Sequence, residues 1–131
     1  MFEKILVPTD GSQLANKAGR EAVHLAKKIG GKVIVTHIID QSLTAPYDEL
    51  EKKAQEYLNE IIEYAIENKV ECESMTIYGS PKYDIVTITR KSEADCVMLG
   101  THGKTGLTST LLGSFAQNVI KTIQLPIILI K

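Results

Sequence analysis

The sequence predicts an α/β protein built on a parallel sheet covered on both faces. Short apolar, largely β-branched runs recur along the chain, segments with a 3.6-residue apolar period separate them, and the two kinds alternate without interruption. Strands buried on both faces read as continuous apolar runs, and parallel neighbours need a crossover, usually a helix, between them. A chain of 131 residues is long enough for one real core and too short for two. The expectation is a single domain over 1–131, with one site or one interface carrying the function.

Ile5, Leu6 and Val7 form the first predicted strand. Ala15, Ala18, Ala22, Leu25, Ala26 and Ile29 mark one face of the first helix, which Gly30 and Gly31 stop. Val33, Ile34 and Val35 are the second strand. Pro46 stands ahead of a second helix whose face is Leu50, Ala54, Tyr57, Leu58, Ile61, Ala65 and Ile66. Residues 70–78 read as the third strand, and a shorter helix follows Pro81 and ends near Lys91. Cys96, Val97, Met98 and Leu99 make the fourth strand. A last helix over about 114–123 precedes Pro126, which opens the fifth strand at 127–130.

The order is βαβαβαβαβ, the pattern of a Rossmann-like sandwich with five mainly parallel strands and two helices on each face. In such sheets ligands bind beyond the carboxyl ends of the strands, where the strand order reverses. For the order 3-2-1-4-5 that point lies between the first and fourth strands. Their ends carry Pro8, Thr9, Asp10, Gly11 and Ser12 on one side and a glycine-rich loop from Gly100 on the other.

That loop is the most informative stretch. Gly100, Gly103 and Gly113-Ser114 are spaced G-x2-G-x9-G-S, between an apolar strand and an amphipathic helix. Such a turn leaves backbone amides pointing at an anion, and the helix dipole adds partial positive charge, which suits phosphate. Gly103-Lys104-Thr105 is not a Walker loop, because Met98 occupies the place of its first glycine. Nor is it the dinucleotide fingerprint, because Gly100, Gly103 and Gly106 are evenly spaced.

Lysine and arginine number 15 against 16 acids, a net charge of −1, so no basic field exists to hold nucleic acid or an anionic membrane. The first residues lack the features of a signal peptide, and no apolar run approaches the roughly eighteen residues of a span. The expected location is the cytoplasm. Cys72 and Cys96 have no close Cys or His partners and read as buried thiols, not as metal ligands or a disulfide.

Each polar residue near the loop also has a plain structural reading. Ser114 suits an N-cap, a role compatible with touching a terminal phosphate. Asp10 fits a cap of the first helix, the Asp-Gly turn, a ribose contact, or an approach to a magnesium ion shared with phosphates. A phosphorylated Asp10 is disfavoured, because Ser12 stands where the haloacid-dehalogenase pattern wants a second Asp. His102 and Lys104 read as loop residues with solvated side chains, or as groups that donate to or screen phosphate. His24 and His37 read as structural.

Taken together, Ile5-Leu-Val-Pro-Thr-Asp-Gly-Ser, His37-Ile-Ile-Asp40, Gly79-Ser-Pro81, Met98-Leu-Gly-Thr-His-Gly-Lys-Thr-Gly and the glycine spacing resemble the universal stress protein family, in its ATP-binding subgroup, over the whole length. The resemblance implies that ATP binds, with Mg2+ bridging the phosphates. It implies that the backbone of Gly100, Thr101, His102, Gly103, Lys104, Thr105 and Gly106, with Gly113, Ser114, Phe115 and Ala116, cradles the triphosphate. The backbone of Ile38 would read the adenine edge, and Pro8, Thr9 and Asp10 would line the adenosine side. Ala116 stands where many members have Ser or Thr, so a hydroxyl contact is lost there. A homodimer through antiparallel pairing of the 126–131 strand is also implied.

The leading functional expectation is a stress-response regulatory protein that acts as a nucleotide-dependent switch toward an unidentified protein partner, with slow or no hydrolysis. No dedicated catalytic pair is visible, and Arg20 and Arg90, the only arginines, lie in predicted helices away from the loop. A weak ATPase or autokinase is the alternative, with Asp10 or His102 orienting water and Ser114 or a nearby threonine as acceptor. A nucleotide-independent dimeric interaction protein is the third reading, opposed by the intact glycines. Adenylyl-transfer relatives are disfavoured, since neither a His-Ile-Gly-His nor an SGG-x-DS signature follows the first strand.

Overall fold

The computed structural model describes residues 2–104 and 111–131. Strands β1 (Lys4–Pro8), β2 (Lys32–Asp40), β3 (Cys72–Gly79), β4 (Cys96–Gly100) and β5 (Ile127–Ile130) alternate with helices α1 (Gln13–Ile29), α2 (Tyr47–Glu67), α3 (Pro81–Ser92) and α4 (Ser114–Thr122). The strands form one sheet in the order β3-β2-β1-β4-β5, and all its pairings are parallel.

Side chains alternate across a strand, so β1 and β2 feed two separate cores. Ile5 and Val7 with Val33 and Val35 point to one face, where Ala22 and Ala26 of α1 and Leu58 and Ile61 of α2 cover them. Leu6 and Ile34 point to the other, against Ile85 and Ile88 of α3 and Val119 of α4. Thus α1 and α2 share one face and α3 and α4 the other. Close packing of α1 on α2 depends on a small residue: a Cβ on Gly19 would lie 2.5 Å from Cδ1 and Cγ1 of the buried Ile61.

The edge strands depart from the fully apolar expectation. β3 starts two residues later than the apolar pattern at Val70 suggests and exposes Glu73, Ser74, Thr76 and Tyr78. A polar edge discourages pairing with foreign strands. β5 keeps its apolar sequence and is half-buried at all four residues.

The helix ends correct two expectations. Ser12, not Asp10, caps α1, its hydroxyl accepting from the Ala15 amide at 3.1 Å. Gly113, not Ser114, is the N-cap of α4, so Ser114 is the first helical residue and no side chain caps that helix. At the other end of α1, Gly30 takes the left-handed conformation at φ 75° and closes the helix onto Ala26. Cys96 is buried but Cys72 only half so; burial pushes both thiols up to about 11, which removes them as nucleophiles at neutral pH.

Candidate functional site

With β1 between β2 and β4, the strand order reverses there, and the carboxyl ends of β1 and β4 open into a cleft of about 530 Å³. Its walls come from four places. Pro8 ends β1 with Thr9 and Asp10 following it, and Thr36, His37 and Ile38 come from the carboxyl-terminal half of β2. Gly100, Thr101, His102 and Gly103 follow β4. Gly113, Ser114, Phe115 and Ala116 supply the start of α4. Lys104 does not line the cleft wall but stands next to it, exposed. Thr105 and Gly106, which the resemblance places in the phosphate cradle, lie outside the described residues.

The turn after β1 is held by its own side chains. The Gly11 amide donates to Thr9 Oγ1 at 3.0 Å and the Ser12 amide to Asp10 Oδ1 at 3.0 Å, while the Gly11 backbone sits at φ 81°. Asp10 therefore serves the Asp-Gly turn, and its second oxygen reaches across the cleft mouth to accept the Lys104 amide at 2.9 Å. That bond links residues 94 apart in sequence and anchors the glycine loop to the first strand's turn. Gly103 needs its missing side chain here, because a Cβ would run into the Asp10 carboxylate. The steric demand at Gly103 thus comes from Asp10.

Burial works to raise the Asp10 pKa, but the Ser12 hydroxyl and the amides of Lys104 and Ser12 outweigh it and hold the carboxyl below the usual carboxylate range. Asp10 is ionised at neutral pH. It is also the one carboxylate among the described lining residues, and both its oxygens are engaged by the loop backbone. Among the described residues no group of three or more His, Cys, Asp and Glu side chains converges on a metal site.

The loop's two ends are stitched together. The Gly113 amide donates to the Thr101 carbonyl at 2.7 Å, and the Thr101 amide donates to the Ile130 carbonyl at 2.9 Å. This places the uncapped start of α4 against the end of β4. Its first-turn amides, at Ser114, Phe115 and Ala116, lie where an anion is favoured by the helix dipole.

At the far side, β1 stops pairing with β2 at Pro8 opposite Thr36, and the Thr9 amide makes the last bond, to the Thr36 carbonyl at 2.8 Å. Amides and carbonyls of alternate residues in a strand point to the same side, so Ile38 directs its backbone polar groups past the end of β1, toward the cleft. Its side chain is buried at 7% exposure. The Thr9 carbonyl is bonded at 2.8 Å by His37 Nδ1, which must be the protonated nitrogen because a carbonyl only accepts. His37 is structural as expected, yet it also lines the cleft, as do Thr36, Pro81, Leu112 and Gln117. For Thr36 and His37 the signal in the sequence was position alone, since they follow the apolar run of the strand beside β1 and stand where its pairing with β1 stops.

His102 Nδ1 lies 3.1 Å from Thr101 Oγ1. Lys104 is not simply solvated: its Nζ donates to Tyr57 Oη at 2.9 Å and sits 4.2 Å from the centre of that ring. Neither Arg20 nor Arg90 reaches the cleft wall.

Comparison with known proteins agrees with this architecture. The pattern of the universal stress protein family matches residues 1–131. A universal stress protein of Methanocaldococcus jannaschii is 33% identical, with 100% of this chain and 83% of that protein covered. A second from the same organism is 31% identical over 100% of this chain and 96% of its own length. The solved universal stress protein of Archaeoglobus fulgidus in complex with dAMP superposes with a TM-score of 0.79 at 26% identity, covering both chains fully. UspA from Lactobacillus plantarum has the same fold, at a TM-score of 0.87, 22% identity, and 99% and 98% coverage.

Proposed function

Because the chain belongs to the universal stress protein family, we propose that its cleft binds ATP and that occupancy, not turnover, is its biochemical output. One observation carries this reading: the Gly113–Thr101 bond sets the uncapped start of α4 at the reversal point of the sheet, beside the glycine loop. The triphosphate would rest on the amides of Ser114, Phe115 and Ala116 and along the backbone from Gly100 to Lys104, in which the Thr101 and Lys104 amides are already bonded to Ile130 and Asp10, with Thr105 and Gly106 continuing the cradle. The dAMP complex of the Archaeoglobus relative supports an adenine nucleotide as the ligand class.

Pro8 and Thr9 would flank the nucleoside. The backbone of Ile38 would accept from the adenine amino group and donate to the adjacent ring nitrogen, a pattern that guanine inverts. Asp10 would act by holding the loop, since its oxygens are already bonded to amides. Mg2+ would then be held mainly by phosphates and water, as that ion takes few protein ligands at such sites. It would supply charge neutralisation at the phosphates.

Slow turnover follows from the same wall. Amides and the helix dipole bind ground-state phosphate, whereas accelerated transfer needs charge aimed at the transition state. Neither arginine lines the cleft to supply it, and a lysine that pairs with the bound ground-state triphosphate adds no selectivity for the transition state. Occupancy would instead order the loop, and with it the surface offered to a second copy along 126–131 and to a protein partner. No described helix is long and apolar enough to cross a membrane.

The test is mass spectrometry of nucleotide retained by natively purified protein, followed by product analysis after incubation with magnesium. Retained ATP that stays ATP is expected. Absence of nucleotide together with no binding of added ATP contradicts the proposal, and rapid ADP formation favours the ATPase reading.

A further inference from the structure

Tyr57 belongs to α2, yet it touches residues from β2 and from the segments after β1 and β4, three of the places that build the cleft. Its ring lies where a Cβ of Gly11 would fall, so the turn after β1 packs directly on it. His37, in the carboxyl-terminal half of β2, meets it edge to face at 5.3 Å between centroids. From the glycine loop, Lys104 lays its amine over the ring at 4.2 Å and donates to the hydroxyl at 2.9 Å. Asp10 pins the backbone of the same lysine. The Lys104 side chain is thereby directed to the α2 side of the loop.

The charge balance gives this arrangement a consequence. Residues 100–114 contain one lysine and no arginine, and the described cleft wall contributes a carboxylate but no Lys or Arg. Lys104 is the ammonium attached to the loop that faces the phosphates. Tyr57 is half-buried but Lys104 is exposed, so its amine is held modestly by the ring, whereas a charge-assisted bond to phosphate is stronger and grows with the ligand's charge.

Resting on the nucleotide reading above, we propose that Tyr57 is a positioning residue that holds Lys104 on α2, and that a triphosphate draws the amine away while a monophosphate leaves it in place. The exchange makes Tyr57 and Lys104 determinants of triphosphate preference. It also couples the phosphate count to α2, because the ring that loses the lysine is the one on which Gly11 and His37 pack.

The first test needs no nucleotide. Aromatic ring current shifts the Lys104 Cε-methylene protons upfield in the NMR spectrum relative to the other lysines, and Tyr57→Leu abolishes the shift. Added ATP returns these signals toward the position of a free lysine, and added AMP does not. Calorimetry then compares ATP with AMP. Tyr57→Phe keeps the ring but removes the acceptor oxygen, and raises the ATP-to-AMP affinity ratio about threefold. Lys104→Ala lowers the ratio about tenfold and makes Tyr57→Phe silent.

An unshifted Lys104 in the free protein overturns the hold itself. ATP binding that leaves Lys104 on the ring overturns the exchange. Equal effects of Tyr57→Phe on ATP and AMP, or effects that persist in Lys104→Ala, reduce Tyr57 to a packing residue. If neither nucleotide binds the unaltered protein, the nucleotide reading fails and the exchange with it, whatever the ring-current shift.

Discussion

Asp10 concentrates much of the site's logic in one carboxylate. Its hydrogen bonds to the Ser12 and Lys104 amides join the first turn to the glycine loop, and they hold its pKa below the usual range despite burial. A carboxyl whose pKa is depressed by folding stabilises the fold above its unfolded pKa, and that contribution disappears as pH falls through the folded value. Asp10→Asn should therefore lower the melting temperature at neutral pH, with the gap closing as pH drops below the ordinary carboxylate range. Thermal melts across pH check this, and a gap constant down to pH 2 contradicts it. Gly103→Ala places a methyl against the same carboxylate and displaces the loop. Loss of two charge-assisted bonds, about 1.5 to 3 kcal/mol each, lowers ATP affinity by roughly two orders of magnitude or more. Calorimetry giving near-native affinity in a folded variant would remove Gly103 from the site. The sequence pointed to Asp10 and to the glycine loop but not to the bond from the Lys104 amide that joins them, because nothing local couples positions 94 apart.

Elements were legible where periodicity was strong. The 3.6-residue spacing of alanines in α1 and the apolar runs of β1, β2 and β4 follow directly from burial on one helical face or on both faces of a strand. Ends were less legible. Ser114 looks like a cap because serine usually is one, yet the extended backbone at Gly113, φ −71° and ψ 165°, takes that position. Tyr57 reads as one apolar residue in a helical row, and only the tertiary placement of α2 makes it a partner of Lys104. The α1–α2 seam supplies an element-scale prediction. Ala is favoured over Gly in a helix by about 1 kcal/mol. At position 19, however, the methyl meets the fully buried Ile61, and overpacking of this kind costs about 1 to 3 kcal/mol. Gly19→Ala should thus destabilise the protein, and adding Ile61→Val should recover part of the loss. Denaturant melts decide, and a stabilised Gly19→Ala would mean the seam yields freely.

For the whole molecule, the strand order explains why two distant polar stretches share a cleft, and it leaves β5 at one edge of the sheet. All four of its apolar residues are half-buried, and the proposed antiparallel pairing of two copies would cover them. Light scattering at micromolar concentration should find a dimer that Leu129→Lys weakens. A monomer, or a dimer indifferent to that change, contradicts the pairing. The Thr101 amide bonds to Ile130, so the proposed interface strand directly adjoins the glycine loop. Hydrogen exchange with and without ATP tests the central claim most directly, because it asks where on the chain the nucleotide acts. The account predicts added protection at 100–104 and 111–116 and at the turn 8–11, with 37–38 following and the distal surface of α3 unchanged. Protection confined to segments away from these strand ends, with ATP demonstrably bound, would contradict it.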